Sequence, residues 1–161
     1  MPVSVAYNSS LTTVETLATN ATHQSGSVTA QLATGLAAQT SASTPACTAR
    51  AGADVALSSG THTIDLTALT GTNGAAVDGT GLRVQYAKFL NPATNANPIT
   101  IAEGGTNGYD GFGASFSITL VPGAEVLIRT KDAGSDISST KKTLDLTGTG
   151  VQALSYEIIM G

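Results

Sequence analysis

The side chains that could do chemistry are concentrated in one glycine-rich loop. The run Asn107-Gly108-Tyr109-Asp110-Gly111 offers amide, phenol and carboxylate oxygens and resembles a fragment of a calcium-binding loop. An EF-hand also needs a series of acidic ligands and a distal bidentate Glu, which this run does not contain. We therefore predict no metal here and treat Tyr109, Asp110 and Phe112 as candidate contacts for a partner protein, or for a glycan that stacks on the two rings.

No other residues assemble into a catalytic or metal-binding pattern. His23 and His62 each lack a second ligand at the spacing of a zinc site. Cys47 is the only cysteine, and no His and Asp accompany it at a catalytic spacing. The sequence therefore predicts a protein that is not an enzyme and has no cofactor, with Cys47 as a small buried residue.

The composition favours a protein that is packed in an assembly or lies outside a cell. Charged residues make up 11% of the chain, against about 25% in typical soluble domains, and Thr, Ser, Ala and Gly dominate. A hydroxyl-rich β surface can be buried against a partner with little charge desolvation. The net charge is -4, and Lys141-Lys142 alone makes no basic patch, so we predict no nucleic-acid partner.

No segment of the sequence reads as a targeting signal or a membrane span. The first residues, MPVSVAYNSS, have neither the basic nor the apolar region of a secretory signal. No run approaches the roughly 18 apolar residues of a membrane helix. We expect no signal peptide and no membrane partner, with synthesis in the cytoplasm and release inside a particle as one way out of a cell.

The elements that must position the loop are strands, and the clearest signal follows it. Phe116, Ile118 and Leu120 alternate with hydroxyl residues, which is the pattern of a strand with one buried face. Val121-Pro122-Gly123-Ala124 has Pro and Gly where a type II turn requires them. Because Glu125 to Arg129 is again strand-like, we predict a β-hairpin over residues 114–132.

Strand and turn signals continue through the rest of the chain. Residues 3–7 and 11–17 read as short strands, and residues 27–40 fit a strand or a helical stripe, of which we favour the strand. After residue 54, roughly seven strands follow at the spacing of a β-sandwich or jelly roll, and the strand over 82–89 is expected to be buried on both faces. We predict an all-β fold, with residues 1–53 as an extended N-terminal β arm and residues 54–161 as an antiparallel sandwich.

The order of these signals resembles small β-sandwich virion proteins of tailed bacteriophages. In those proteins a strand, Asn-Pro, a strand, Pro-Gly and a strand precede a Tyr-x-Ile-x-x-Gly-like end. The resemblance is carried by residues 82–92, 98–101, 120–126, 144–150 and 156–161.

The resemblance implies a capsid decoration or cement protein, or an accessory protein of the tail, and it brings no catalytic residues. The implied location is the virion, on the capsid surface. The implied partners are the major capsid protein or other virion proteins and copies of the chain itself, for which we expect a homotrimer. The alternative function is a carbohydrate-binding or adhesive module that presents Tyr109 and Phe112 to a sugar.

Overall fold

The computed structural model describes residues 4–8, 11–17, 26–32, 36–40, 42–71, 74–130 and 134–161. Every regular element in these ranges is a β-strand. In chain order the strands are β1 Ser4–Asn8, β2 Leu11–Leu17, β3 Gly26–Leu32, β4 Leu36–Thr40, β5 Ala49–Leu57, β6 Thr61–Asp65, β7 Leu69–Thr70, β8 Ala76–Val77, β9 Val84–Leu90, β10 Ile99–Glu103, β11 Ser117–Leu120, β12 Glu125–Arg129, β13 Thr143–Thr147 and β14 Gln152–Met160.

Two four-stranded antiparallel sheets form the body of the molecule. The first sheet has the order β11-β10-β13-β6, and the second sheet has the order β12-β9-β14-β5. Their apolar faces enclose one core, to which the first sheet contributes residues such as Ile101 and Leu146 and the second sheet residues such as Phe89 and Ile158. The predicted all-β, antiparallel sandwich is confirmed, whereas a jelly-roll order of the strands stays a prediction.

The central strands of the second sheet carry the most buried sequence. In β9, Val84 to Ala87 and Phe89 are buried, and Lys88 is the one exposed residue of the strand, as predicted for a strand between two neighbours. β14 pairs with β9 on one side and with all nine residues of β5 on the other. Residues 152–160 are therefore an internal strand of this sheet.

The predicted hairpin over residues 114–132 is wrong, although its turn is present. Gly123 has a φ of 81°, and the Ala124 amide donates to the Val121 carbonyl at 2.9 Å. However, β11 pairs with β10 in the first sheet, and β12 pairs with β9 in the second. Two-residue hairpins use type I′ or II′ turns because types I and II splay the flanking strands. The type II turn accordingly passes the chain from one sheet to the other.

The N-terminal strands form what we call the N-terminal ribbon, made of β1 to β4. β1 pairs with β4 from Ser4↔Thr40 to Asn8↔Leu36, and β2 pairs with β3 from Leu11↔Leu32 to Leu17↔Gly26. The strand interpretation is thus confirmed for residues 27–32 and 36–40.

The segment before β5 is packed on the sandwich. β5 begins at Ala49, ahead of residue 54, where the sandwich was predicted to begin. Cys47 is fully buried with Tyr86 and Ile159, and its thiol donates to Gln85 Oε1 at 3.3 Å. Burial raises the pKa of this thiol, so it stays protonated at neutral pH, and the prediction of a small buried cysteine is confirmed.

Candidate functional site: the glycine-rich loop and the outer faces of the sandwich

The glycine-rich loop connects β10 to β11 and is fastened to the start of β13. The amides of Gly104 and Tyr109 both donate to the Thr143 carbonyl, at 3.0 and 2.9 Å. The amides of Lys142 and Thr143 in turn donate to the Asn107 carbonyl. A Cβ on Gly111 would lie within the ring of Tyr109, so glycine is required there by packing. The loop is therefore held in one conformation by the strand beside it.

Tyr109 lies in the core, with 0% of its surface exposed. Its hydroxyl donates to the Ser135 carbonyl at 3.0 Å and accepts the Val84 amide at 3.1 Å. Burial raises the pKa of this phenol above 10.0. Tyr109 thus joins three segments: its own loop, the beginning of β9 and the residues after 134.

Phe112 stands at the centre of an aromatic cluster. Its ring makes edge contacts with Tyr109, Phe116 and Phe89 at centroid distances of 5.5, 5.2 and 6.5 Å. The cluster contains all three phenylalanines of the chain. A ring that stacks on a sugar must expose one face; Phe112 is partly exposed, whereas Tyr109 is not.

Asp110 is held by a lysine. Its Oδ2 accepts a hydrogen bond from Lys141 Nζ at 2.7 Å. The hydrogen bond from Lys141, and next the nearby Ser135 hydroxyl, lower the pKa of the carboxyl below 3.8. The candidate residues Tyr109, Asp110 and Phe112 are thus adjacent but serve different contacts: a core anchor, a partly exposed ion pair and an aromatic cluster. That any of them touches a partner or a glycan stays a prediction.

In the described ranges, the other side chains that could do chemistry do not form a cluster. Glu103 accepts the Ser115 amide at 2.7 Å, and Glu125 pairs with Lys88 at 2.8 Å. His62 is a partly exposed residue of β6, and His23 lies outside the described residues. Within the part of the chain that the structure describes, no three His, Cys, Asp or Glu side chains come together as a metal site would require.

The outer face of the first sheet is covered by hydroxyl groups. The composition predicted a hydroxyl-rich β surface, but not which sheet carries it. Thr61, Thr147, Thr100 and Thr119 are successive cross-strand neighbours across all four strands. A second row consists of Thr63, Asp145, Ala102 and Ser117. We call these eight residues the hydroxyl face. The alternation of Thr in the sequences of β6 and β13 was the signal that could have revealed it.

The groups of the hydroxyl face bond to one another. Thr100 and Thr119 join their hydroxyls at 2.8 Å. Both carboxylate oxygens of Asp145 are used, one by the Thr63 hydroxyl at 2.7 Å and the other by the Gly105 amide at 2.8 Å. The surface is consequently polar, made of short side chains, and carries a single acidic group.

The outer face of the second sheet is charged. Lys88 pairs with Glu125, and Arg50 pairs with Glu157, each at 2.8 Å. The Arg129 guanidinium lies 5.8 Å from the centre of the Tyr86 ring. Leu127 stands among these groups with 45% of its surface exposed. The two faces of the sandwich therefore differ in chemistry.

No family model, curated protein or solved structure matches this chain. In the described ranges we find no helix with the length and apolar character that would let it cross a membrane.

Proposed function

We propose that the chain is a non-enzymatic structural protein of a tailed-bacteriophage virion. In this proposal it decorates or cements the capsid through contacts with the major capsid protein and with copies of itself. The single observation that carries the proposal is the N-terminal ribbon, supported by the hydroxyl face and by the resemblance of residues 54–161 to such proteins.

The N-terminal ribbon has the properties of an arm whose strands pair with a neighbouring subunit. In the part of the chain that the structure describes, each of its strands has one hydrogen-bonded neighbour, which is another strand of the ribbon. A two-stranded hairpin alone is at best marginally stable in water, and its unpaired edges accept a strand from another chain. β1 contributes 5 residues and β2 contributes 7, which corresponds to strands of about 17 and about 23 Å.

The hydroxyl face suits contact with a shell protein. Of its eight residues, only Asp145 is charged, and this carboxylate is already hydrogen-bonded on both oxygens. Burying such a surface removes hydroxyl groups from water, but these groups can form new hydrogen bonds with the partner's backbone. Little charge is desolvated. The centres of protein–protein interfaces likewise contain few charged residues.

The test is quantitative peptide mass spectrometry of gradient-purified phage particles from the culture that produces the chain. We expect the chain at a copy number comparable to that of the major shell protein. A small fraction of that number would place it in the tail or at a vertex and contradict the capsid role. Absence from purified particles would overturn the proposal.

A truncated chain serves as the matched control for the arm. Deletion of residues 1–45 removes the N-terminal ribbon and keeps every strand of both sheets. We expect particles to retain less of this variant than of the full chain at equal expression. Equal retention of the two would show that the ribbon does not attach the protein.

A further inference from the structure

β12 is an edge strand that, among the strands in the described ranges, pairs on one side only. Among the strands that the structure describes, its hydrogen-bonded neighbour is β9. The flanking backbone bonds, from Thr130 to the Gln85 carbonyl and from Asn91 to the Ala124 carbonyl, extend the ladder on that same side. Because β11 belongs to the other sheet, no strand of the part of the chain that the structure describes lies beside β12 on the side away from β9.

β12 exposes an apolar side chain at its centre, which is unusual for an edge strand. Val126 and Ile128 pack on the core, and Glu125, Leu127 and Arg129 point outward. Of the large apolar side chains exposed in the described ranges, Leu127 is the one within a strand, since the others, Val121 and Val151, lie in connections. Native edges are usually blunted by charged side chains, a proline or a bulge. β12 has no proline and no bulge, and its two exposed charges, Glu125 and Arg129, are of opposite sign.

The outward side chains of β12 are complementary to those of a second copy of the same strand. If two copies pair their β12 strands in antiparallel orientation with Leu127 opposite Leu127, Glu125 of each copy faces Arg129 of the other. Directly opposite side chains in such a pair are about 5 Å apart, so two ion pairs flank an apolar centre. A contact in which the same patch serves both copies has two-fold symmetry.

We infer that β12 is a homodimer contact, in which two copies join edge to edge and their second sheets become one continuous sheet. The charged side chains are already positioned for this contact. Lys88 holds Glu125 at 2.8 Å, and Arg129 Nε donates to the Tyr86 hydroxyl at 3.3 Å. Association therefore costs less side-chain ordering than it would for mobile groups.

The opposite edge of the same sheet provides the comparison. β5 also carries opposite charges on its outward face, at Arg50 and Asp54, but Gly52 lies between them. A glycine gives the centre of the contact no apolar surface to bury. The inference therefore concerns β12, and charge changes on β5 serve as matched controls.

The inference deepens the proposed function, because it rests on the proposed self-association and names its surface. It replaces the homotrimer that the resemblance implies by a two-fold dimer. Its test uses only the purified full-length chain, so that its outcome is separate from that of the particle measurement. The variants are Glu125→Arg and Arg129→Glu, studied singly and mixed, with Asp54→Arg and Arg50→Glu as controls. Mass is measured by sedimentation equilibrium, and folding is checked by circular dichroism.

We expect the parent chain and both β5 variants to form dimers. Each β12 variant places like charges opposite each other and should weaken its own dimer by about tenfold or more, which is about 1.4 kcal/mol. An equimolar mixture of the two β12 variants should recover a mixed dimer, because cations of one copy then face carboxylates of the other. A monomeric parent chain, a trimer unaffected by the β12 changes, a failure of the mixture to recover, or a loss of dimer on changing β5 would each overturn the inference.

Discussion

Asn91 Nδ2 donates a hydrogen bond to the Leu120 carbonyl oxygen at 2.8 Å, joining the end of β9 in the second sheet to the end of β11 in the first. The same amide group also donates to the Asn97 carbonyl at 3.2 Å, and Asn91 Oδ1 accepts from Asn95 at 2.6 Å. The Asn91 backbone, moreover, pairs with the turn at Gly123. One fully buried amide therefore fixes the place where the chain crosses between the sheets.

Replacing Asn91 by Ala should lower the free energy of unfolding by about 2 to 4 kcal/mol. The reason is that the Leu120 carbonyl loses this buried donor, and the Asn95 side chain loses its acceptor on Asn91. Urea denaturation followed by circular dichroism measures the change. Asn97→Ala is the control, since that side chain is exposed and its loss should cost less than about 0.5 kcal/mol. Equal effects of the two changes would refute the role given to the Asn91 side chain.

Removal of the Tyr109 hydroxyl should also destabilise the sandwich. Tyr109→Phe keeps the ring in the aromatic cluster but leaves the Val84 amide and the Ser135 carbonyl without this partner, at a cost of about 1 to 3 kcal/mol. Thermal and urea unfolding report the loss. Tyr156→Phe is the matched control, since no hydrogen bond of its hydroxyl is found in the described ranges. A Tyr109→Phe protein as stable as its parent would contradict the three-segment anchor.

The alkaline limb of the stability curve should depend on Tyr109. Burial raises the pKa of this phenol in the folded protein above the value of 10.0 for an exposed tyrosine. The folded state therefore holds the proton more tightly than the unfolded state. Its contribution is complete below pH 10 and is lost as the pH rises through the folded pKa. Tyr109→Phe should lose less stability than the parent chain above pH 10, and parallel curves would argue against this origin.

The acid limb should depend in part on Asp110. Lys141, and then Ser135, lower the pKa of this carboxyl below 3.8, so its contribution is present above pH 3.8 and is lost as the pH falls through the folded pKa. Because the pair is partly exposed, we expect Asp110→Asn to lower the free energy of unfolding by about 0.5 kcal/mol at neutral pH. The variant should also lose less stability than the parent chain as the pH falls. Urea midpoints measured from pH 2 to 7 test this, and an unchanged acid slope would be the contrary result.

The start of the sandwich can be located by truncation. A chain lacking residues 1–45 retains Cys47 and all of β5, and it should fold cooperatively with a protected thiol. A chain lacking residues 1–57 loses β5, and with it Ala51 and Leu57 from the core, and it should fail to fold. Thermal melts and thiol labelling distinguish the two. If the shorter deletion also abolishes folding, the N-terminal ribbon belongs to the core.

The alternation of apolar residues was enough to predict strand positions and the fold class, because burial of one sheet face is a local signal. Ile118 and Leu120 point inward as their period indicates. Sheet membership could not be predicted in the same way. The turn at Pro122-Gly123 formed, but the partner of each flanking strand was chosen by distant residues, among them Asn91.

Side-chain roles in the loop were less predictable than its position. Tyr109 and Asp110 are neighbours in a polar, glycine-rich run, which suggested an exposed surface. The Tyr109 ring is instead buried, because the Val84 amide and the Ser135 carbonyl both meet its hydroxyl. These partners lie 25 and 26 residues away in sequence, and a single sequence contains no signal that links them.

The position of β14 also constrains the order in which the protein can fold. β5 and β9 do not pair with each other, and β14 lies between them. The pair Ala49↔Met160 closes a loop of more than a hundred residues, and such distant pairings make folding slow. During synthesis, the edges of β5 and β9 that pair with β14 stay unpaired until β14 emerges from the ribosome. A chaperone that shields these edges should therefore raise the yield of native protein more than one that acts after release.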